Sequence, residues 1–572
     1  MRIIGINSFW EEGWWKCKGG SASLIDDGRL VMSVAEDRIS REKYEGGYRN
    51  ALNYILDYHN LSMESIDYFC ISFYGNHLVP DSDIMKYHLK DLMLESTPEK
   101  LVLVPSHHLS HAFSGYFLSP FDEAIIVVAD NEGSILYSAD CNNEGANGAY
   151  CERNSYYHAK GNIISLLERD FESPSAVGFG KAYNKFTEYI GFGDYHNAGK
   201  TMGLSSYGKI PHELESADLW SMDSKYRLDS YMTESYDNKS DVDSFLSRNG
   251  ISINEAVDCS TEAGKNLARY IQTQLNKWAV EKIRTLIART GVKNICISGG
   301  VAQNGVMNAH IERELGCRVF APPFPSDQGQ SLGNAIYAWV MLNRLSINSL
   351  LKKCKFENFV YLGSEFTDEQ ISLNIEQAAI PSGYSVAKSE NIAREAAELI
   401  ENNKIIGWFQ GKSEYGCRAL GNRSILANPG SAETRDRVNA LKKRELFRPL
   451  APTVLAEHAG DFFYAADSLL SEYMLGVVKA RVGRQEKIAG AVHIDGTSRI
   501  QSLKRGQNPL YYELIEQFYN NTGIPMVLNT SFNIAGEPIV ETPKDAIKTF
   551  LAMGLDALAC GGYLIKKSVL KG

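Results

Sequence analysis

The run Pro105-Ser106-His107-His108-Leu109-Ser110-His111 holds the densest chemistry in the chain. Pro105 and Ser106 read as a helix start after an extended segment from Leu101 to Val104. On a helix, His107 and His111 stand four apart and share one face, where two imidazoles can grip one metal ion. His108 points elsewhere. The spacing alone serves a pair of surface or capping histidines equally well. Two carboxylates could complete a site: Asp130, which ends the apolar run from Ala124 to Ala129, and Asp327, in a Pro-rich loop that opens a helix. Two His with two Asp suit ferrous iron, manganese or zinc without any sulfur donor.

A second constellation lies in residues 411–450, where nine Lys or Arg meet four acids, a local +5 inside a chain of net charge −10. Arg435-Asp436-Arg437 reads as ordinary mixed surface. Arg418 and Arg448 differ, because their neighbours in CRALGNRS and LFRPLAP are apolar and bounded by Gly or Pro. A guanidinium in such a place needs an anion, and its planar fork matches a phosphate or a protein carboxylate. A third group, Asn529, Thr530, Ser531 and Asn533, breaks the strand-like start of LNTSFNIAGEPIV. These uncharged donors and acceptors can orient a small amide-like group or simply build an Asx turn.

Several elements must hold these groups in place. The N-terminus reads as Ile3 to Ile6, a Gly19-Gly20 turn, then Ala22 to Ile25 and Leu30 to Val34, joined by Asp26-Asp27-Gly28 as a hairpin. A second strand-turn-strand unit is expected from Ala124, with ILYSAD as its return strand. A long amphipathic helix through Leu267, Ile271, Leu275, Trp278 and Leu286 should stop at Gly291 and lead to the strand Asn294 to Ser298 and Gly299-Gly300. Two such units with a strand-Gly-Gly-helix suggest an α/β protein with a duplicated actin-like nucleotide fold, whose turns approach phosphates. Segments 139–175 and 210–258 read as polar insertions. A boundary is expected near 350–370, followed by a helix from Glu390 to Ile405 and the strand IIGWF.

With 572 residues, 44% hydrophobic and 22% charged, the composition is that of a multidomain globular protein rather than a disordered or fibrous one. The acidic balance disfavours general binding to nucleic acid or anionic membrane. Apolar runs fall far short of the ~20 residues that span a bilayer, and the start lacks a signal peptide's apolar stretch, so a cytoplasmic location is expected. Ten Cys without a C-x-x-C pair fit reduced core thiols.

Taken together, SASLIDDGRL, AEDRISREK, HHLSH, VVADNEG, NAGKTMGLSSYG, SGGVAQN, PPFPSDQGQSLG, CRALGNRS, KKRELFRPLAP and LNTSFNIAGEPIV resemble the carbamoyltransferase family of nodulation protein U and the tobramycin and cephamycin carbamoyltransferases. The likeness runs over nearly the whole chain. It implies an N-terminal actin-like (ASKHA) domain over 1–355, akin to the tRNA threonylcarbamoyl-transferase fold, and a YrdC-like α/β domain over 356–572. It further implies that carbamoyl phosphate and ATP, with magnesium, give a carbamoyladenylate, whose carbamoyl group passes to a hydroxyl of a small acceptor. By motif position Arg418, Lys442, Arg448, Arg499 and Asn529 correspond to carbamoyl-phosphate contacts. His107, His111, Asp130 and Asp327 correspond to ligands of a metal, iron in the best-known type. Glu132, Gly178, Gly300 and Asn304 fall at nucleotide positions, and Lys43 falls on the acceptor side.

One departure concerns the catalytic base. Where relatives carry His-Asp ahead of the SAS segment, this chain has Lys18-Gly19. A lysine serves as a base only if burial or a nearby cation lowers its pKa. Competing readings are a tRNA threonylcarbamoyl transferase, which calls for a basic track, and a non-catalytic nucleotide-binding scaffold. The acceptor, the metal and the oligomeric state stay open at this level.

Overall fold

The computed structural model describes residues 1–8, 19–73, 83–137, 149–171, 178–217, 219, 238–253, 255–343 and 353–567. The chain forms two compact units, Met1–Val31 with Gly46–Glu357, and Met32–Glu45 with Asn358–Gly572. Among the described residues no helix is long and apolar enough to cross a membrane.

In the first unit, β1 (Arg2–Ser8), β2 (Ser21–Asp26), β3 (Arg29–Ala35), β4 (Tyr68–Phe73) and β5 (Leu101–Leu103) form a sheet of order β3-β2-β1-β4-β5. β1 runs antiparallel to β2 and parallel to β4, and β4 runs parallel to β5. The β2–β3 turn is set by two successive left-handed residues, Asp27 and Gly28, with φ of 45° and 78°. That is the two-residue geometry whose twist matches paired strands. β1 is buried on both faces, so it reads as a continuous apolar run. Gly5 is required there, because a Cβ would lie 2.0 Å from the carbonyl oxygen of Ser331 in the helix packed on the strand.

The second sheet repeats this plan. β6 (Glu123–Ala129) pairs antiparallel with β8 (Ala149–Lys160), which pairs antiparallel with β9 (Ile163–Phe171). On its other side β6 is parallel to β10 (Asn294–Ser298), and β10 to β11 (Arg318–Phe320). The order β9-β8-β6-β10-β11 mirrors β3-β2-β1-β4-β5, so the expected duplication is present. The return strand is not the expected one. β7 (Ile135–Tyr137) pairs with the start of β8, and β8 supplies the antiparallel partner of β6. Segment 139–175, expected to be an insertion, thus carries two sheet strands. Its polarity misleads because β8 buries Glu152, Arg153 and Asn154, and Glu152 and Asn154 bond to Arg169 and Asp170 of β9. Segment 210–258 likewise contains the helix Asn238–Arg248, which buries Val242, Phe245 and Leu246.

Two helices lie against these sheets. Gln330–Leu342 packs on β1, β2 and β4, while His107–Phe117 packs on β6 and β10 and on the first helix. The long helix Glu262–Thr290 ends at Gly291 with φ 74°, as its sequence implies.

The second unit is built on an eight-stranded mixed sheet of β12 (Tyr384–Lys388), β13 (Ile406–Phe409), β14 (Arg423–Ala427), β15 (Ala451–Leu455), β18 (Gln501–Leu503), β19 (Met526–Ser531), β20 (Ala557–Cys560) and β21 (Tyr563–Lys567). A short ribbon, β16 (Val478–Lys479) and β17 (Thr497–Ser498), stands apart. The order is β12-β21-β20-β13-β14-β19-β15-β18. Apolar layers cover both faces, one with helices Asp368–Gln377 and Pro543–Met553, the other with Ile392–Glu401 and Pro509–Thr522. The helix expected over 390–405 ends at Glu401, because Asn403 turns left-handed (φ 57°) before β13. The chain leaves the first unit within β3, and the short helix Glu36–Ser40 belongs to the second. There Arg38 donates to the carbonyls of Gly416 (3.0 Å) and Glu414 (3.4 Å) and pairs with Glu541 at 3.5 Å.

Candidate functional site

The His107–Phe117 helix begins as its sequence predicts. Ser106 is the N-cap, its hydroxyl accepting from the Leu109 N–H. One turn apart, His107 and His111 face the end of β6, where Asp130 sits, and the loop carrying Asp327. His111 Nε2 lies 3.0 Å from Asp130 Oδ2 and 3.4 Å from Asp327 Oδ1; His107 Nε2 lies 3.3 Å from Asp327 Oδ1 and 3.8 Å from Asp130 Oδ2. One donor atom from each residue falls within 4.8 Å of all the others. His108 turns away, its Nδ1 2.8 Å from the Ser155 hydroxyl.

These residues fit a divalent cation. Bonds of about 2.0–2.2 Å put neighbouring ligands about 3.0–3.5 Å apart, which most of the four separations match. His111 Nε2 and Asp130 Oδ2 are buried and make no hydrogen bond with good geometry. Burial alone would lower the His107 imidazolium, but the two carboxylates outweigh it and push its pKa up to about 10. His111 shifts upward by the same balance, and Asp130 and Asp327 shift downward against their own burial. The two carboxylates thus favour positive charge between them, which a divalent cation bound by neutral rings would supply.

Residues not singled out from sequence shape this centre. Asn7 at the end of β1 donates to the carbonyls of Gly19 (3.0 Å) and Asp327 (2.9 Å). Gln330 donates to the carbonyl of His107 at 3.1 Å. Their signal was slight: an amide at a strand end and another in the SDQGQS loop. Gly300 leaves room beside Asp130, since a Cβ there would lie 2.9 Å from Oδ1. Asn304 caps the next helix through Met307 and exchanges hydrogen bonds with Gln272, so its amide is engaged within the protein. Gly178 precedes the helix Phe179–Tyr189, with Arg153 against it, and Glu132 pairs with Lys181. Lys18 lies outside the described residues.

In the second unit the basic segment divides by role. Arg423 is fully buried and structural: it donates to the carbonyls of Gln410, Gly411, Asn422 and Ser364 and lies over the Phe409 ring. Arg437 pairs with Asp556 at the surface. Arg418, Arg448 and Arg499 gather with Arg444, which sequence reasoning had not assigned. Burial and the neighbouring guanidinium groups depress Arg499 well below the usual arginine range. Burial and Arg448 hold Arg444 down to about 9. The Nε atoms of Arg418 and Arg499 and one Nη of Arg444 are buried and find no acceptor among the described residues. Among the described residues Arg448 pairs with Glu445, at 3.8 Å. Crowded, desolvated cations with so little counter-charge attract an anion.

Lys442 borders this cluster, yet its ammonium is bonded to the Ser531 and Asn533 carbonyls and to the Asn533 side chain, so it clamps that loop. Asn529 donates to the Ala419 carbonyl and the Thr453 hydroxyl, and its buried Oδ1 has no hydrogen bond of good geometry among the described residues. Lys43 belongs to the crossover segment of this unit and is one of the charges that depress Lys442.

Comparison with known proteins matches residues 74–336 to the carbamoyltransferase N-terminus and residues 397–567 to the carbamoyltransferase C-terminus. The nodulation protein NolNO of Sinorhizobium fredii is 33% identical over 96% of this chain and 79% of its own length. The chain belongs to the carbamoyltransferase family. It is therefore a member of a transferase family. Nodulation protein U of Rhizobium tropici is 26% identical over 99% of this chain and 97% of its own. An uncharacterized protein of Methanocaldococcus jannaschii is 30% identical over 96% and 99%. Among solved structures, component A of the (R)-2-hydroxyglutaryl-CoA dehydratase of Acidaminococcus fermentans aligns over 59% of this chain and 98% of its own (12% identity, TM-score 0.34). Sua5 of P. abyssi complexed with L-threonine aligns over 31% and 47% (16% identity, TM-score 0.22).

Proposed function

We propose that this carbamoyltransferase-family protein activates carbamoyl phosphate with ATP as a carbamoyladenylate and transfers the carbamoyl group to a hydroxyl of a small molecule. The observation that carries this reading is the group Arg418, Arg444, Arg448 and Arg499 in one unit with the buried Asn529 Oδ1. Guanidinium groups short of counter-charge take a phosphate dianion, and a carbonyl acceptor takes the N–H of a carbamoyl amide. Lys442 holds the 531–533 loop, and bonds to Ala419 and Thr453 hold the Asn529 amide. Water cleaves the acyl phosphate to phosphate and carbamate, and the carbamate oxygen attacks the ATP α-phosphorus as pyrophosphate leaves; the acyl group again carries a good leaving group, and the nucleotide adds remote binding energy for orientation.

In the first unit His107, His111, Asp130 and Asp327 would hold the metal, ferrous iron or another divalent cation. When bound, such a cation supplies Lewis-acid charge beside a phosphate or acyl oxygen. Gly300, which leaves room beside Asp130, is assigned to the nucleotide together with Gly178, Glu132 and Asn304, and Lys43 is assigned to the acceptor. Lys18 is the candidate base, provided burial keeps it neutral. Incubation with carbamoyl phosphate, ATP and ferrous or manganous ion tests the reading. Pyrophosphate release that depends on carbamoyl phosphate, and a carbamoyladenylate mass, are expected. Intact ATP under those conditions would overturn it.

A further inference from the structure

Glu152 is a fully buried carboxylate on β8 that the chemistry above does not use. Its oxygens face the start of the helix that carries both metal-site histidines. Oε1 accepts from the Ser106 hydroxyl at 2.6 Å and pairs with Arg169 Nε at 2.9 Å. Oε2 accepts from the Ser134 N–H at 3.0 Å and faces the His108 N–H at 3.5 Å. Ser134 in turn accepts from the His107 N–H at 2.8 Å, and its carbonyl takes the Glu152 N–H at 2.9 Å. Gly133 keeps the group close, since a Cβ there would lie 2.6 Å from His108 Nε2 and 2.8 Å from the Glu152 Cβ.

The topology gives this cluster its meaning. β8 pairs along β6 up to Ala129 opposite Asn154, so Glu152 lies beside the strand end that holds Asp130. The same carboxylate binds Ser106, the N-cap of the helix that holds His107 and His111. A negative charge is favoured at a helix N-terminus, and Arg169 balances the remainder. One side chain therefore ties the segment that supplies a carboxylate to the segment that supplies two imidazoles.

We infer that Glu152 is a positioning residue of the metal centre, setting the spacing between the first turn of the His107 helix and the 130–134 segment. The inference rests on His107, His111, Asp130 and Asp327 binding a metal. Glutamine has the same shape but must turn an N–H2 group toward existing donors on one side, so it breaks the staple without opening a cavity.

The test uses the full chain and Co2+ as probe, read by titration of its visible d–d absorption. Wild type should bind one equivalent and His111→Ala should not. Glu152→Gln should bind about 10–100-fold more weakly, as outer-shell losses do, with a shifted d–d spectrum, while far-UV circular dichroism stays unchanged. If His111→Ala binds like wild type, the metal reading falls. If His111→Ala loses Co2+ while Glu152→Gln keeps wild-type affinity and spectrum, the role of Glu152 is overturned and the metal reading stands. Should Glu152→Gln not fold, Ser134→Ala decides, since it removes the hydroxyl that accepts from the His107 N–H and keeps the backbone bonds to Glu152. A weaker, spectrally shifted Co2+ site is then expected, and an unchanged one overturns the inference.

Discussion

Arg444→Met should stabilise the ligand-free protein and weaken its grip on phosphate. The Arg444 pKa is held down to about 9 by burial and by Arg448. A cation whose folded pKa lies below its unfolded value destabilises the fold at every pH under the folded value, so the penalty is fully present at pH 7. Against an ordinary 12.5, at about 1.4 kcal/mol per unit, full desolvation would cost roughly 5 kcal/mol. Arg444 keeps partial exposure, and screening reduces this to roughly 2 kcal/mol. The substitution also loses the 2.6 Å bond from Nε to Asn439 Oδ1, worth about 1 kcal/mol. The balance is a gain of about 1 kcal/mol, or roughly 2–4 °C in Tm for a unit of this size. Inorganic phosphate or carbamoyl phosphate at about 100 times its Kd should raise the wild-type Tm by the equivalent of about 2.7 kcal/mol. The variant, lacking one charge-assisted bond of about 1.5–3 kcal/mol, should lose half or more of that rise. Thermal unfolding with and without each anion measures both effects. A lower ligand-free Tm together with an intact anion shift would refute the crowded-cation reasoning.

Further outcomes are expected elsewhere. His111→Ala should abolish bound divalent metal, measured by elemental analysis of protein equilibrated with ferrous or manganous ion; wild-type stoichiometry would count against the centre. Burial holds His88 down to about 4, outweighing the opposing pull of Asp91. With an unfolded value near 6.5, the unfolded chain takes up the proton first, so stability is lost as pH falls from about 6.5 to 4, by roughly 3 kcal/mol. Urea midpoints across that range should fall less in His88→Gln. Arg423→Ala should cost about 3–5 kcal/mol, because it removes the guanidinium that donates to the buried Gln410, Gly411, Asn422 and Ser364 carbonyls and leaves Arg38 as the one remaining cation named beside Glu541; equilibrium denaturation reads this directly.

Short-range chemistry was legible in the sequence where one residue type has one physical use. Asp27-Gly28 marked a hairpin because two successive left-handed residues favour Asp and Gly. Ser106 marked a helix start because its hydroxyl caps an N–H three residues on, and Gly291 marked a helix end. The i, i+4 histidines share a face because of helical pitch, and the motifs named the carbamoyltransferase family over most of the chain. The polar strands β8 and β9 were illegible for an equally physical reason. Alternation reveals a strand by its contrast of apolar and polar faces, and β8 blurs it by burying Glu152 and Asn154 against Arg169 and Asp170 of β9.

What tertiary structure alone decided is which groups meet and which are already engaged. Asp327 is more than two hundred residues from His107, and only the packing of the Gln330 and His107 helices closes their side chains to 3.3 Å. Arg418, Arg423 and Lys442 look alike as basic residues near Gly or apolar neighbours. The fold gives Arg423 four carbonyls, gives Lys442 the 531–533 loop, and leaves Arg418 beside Arg499 with a buried donor unmet. A residue's type and spacing determine which interactions it can make; its burial, and the partners brought from distant segments, determine which remain for a ligand.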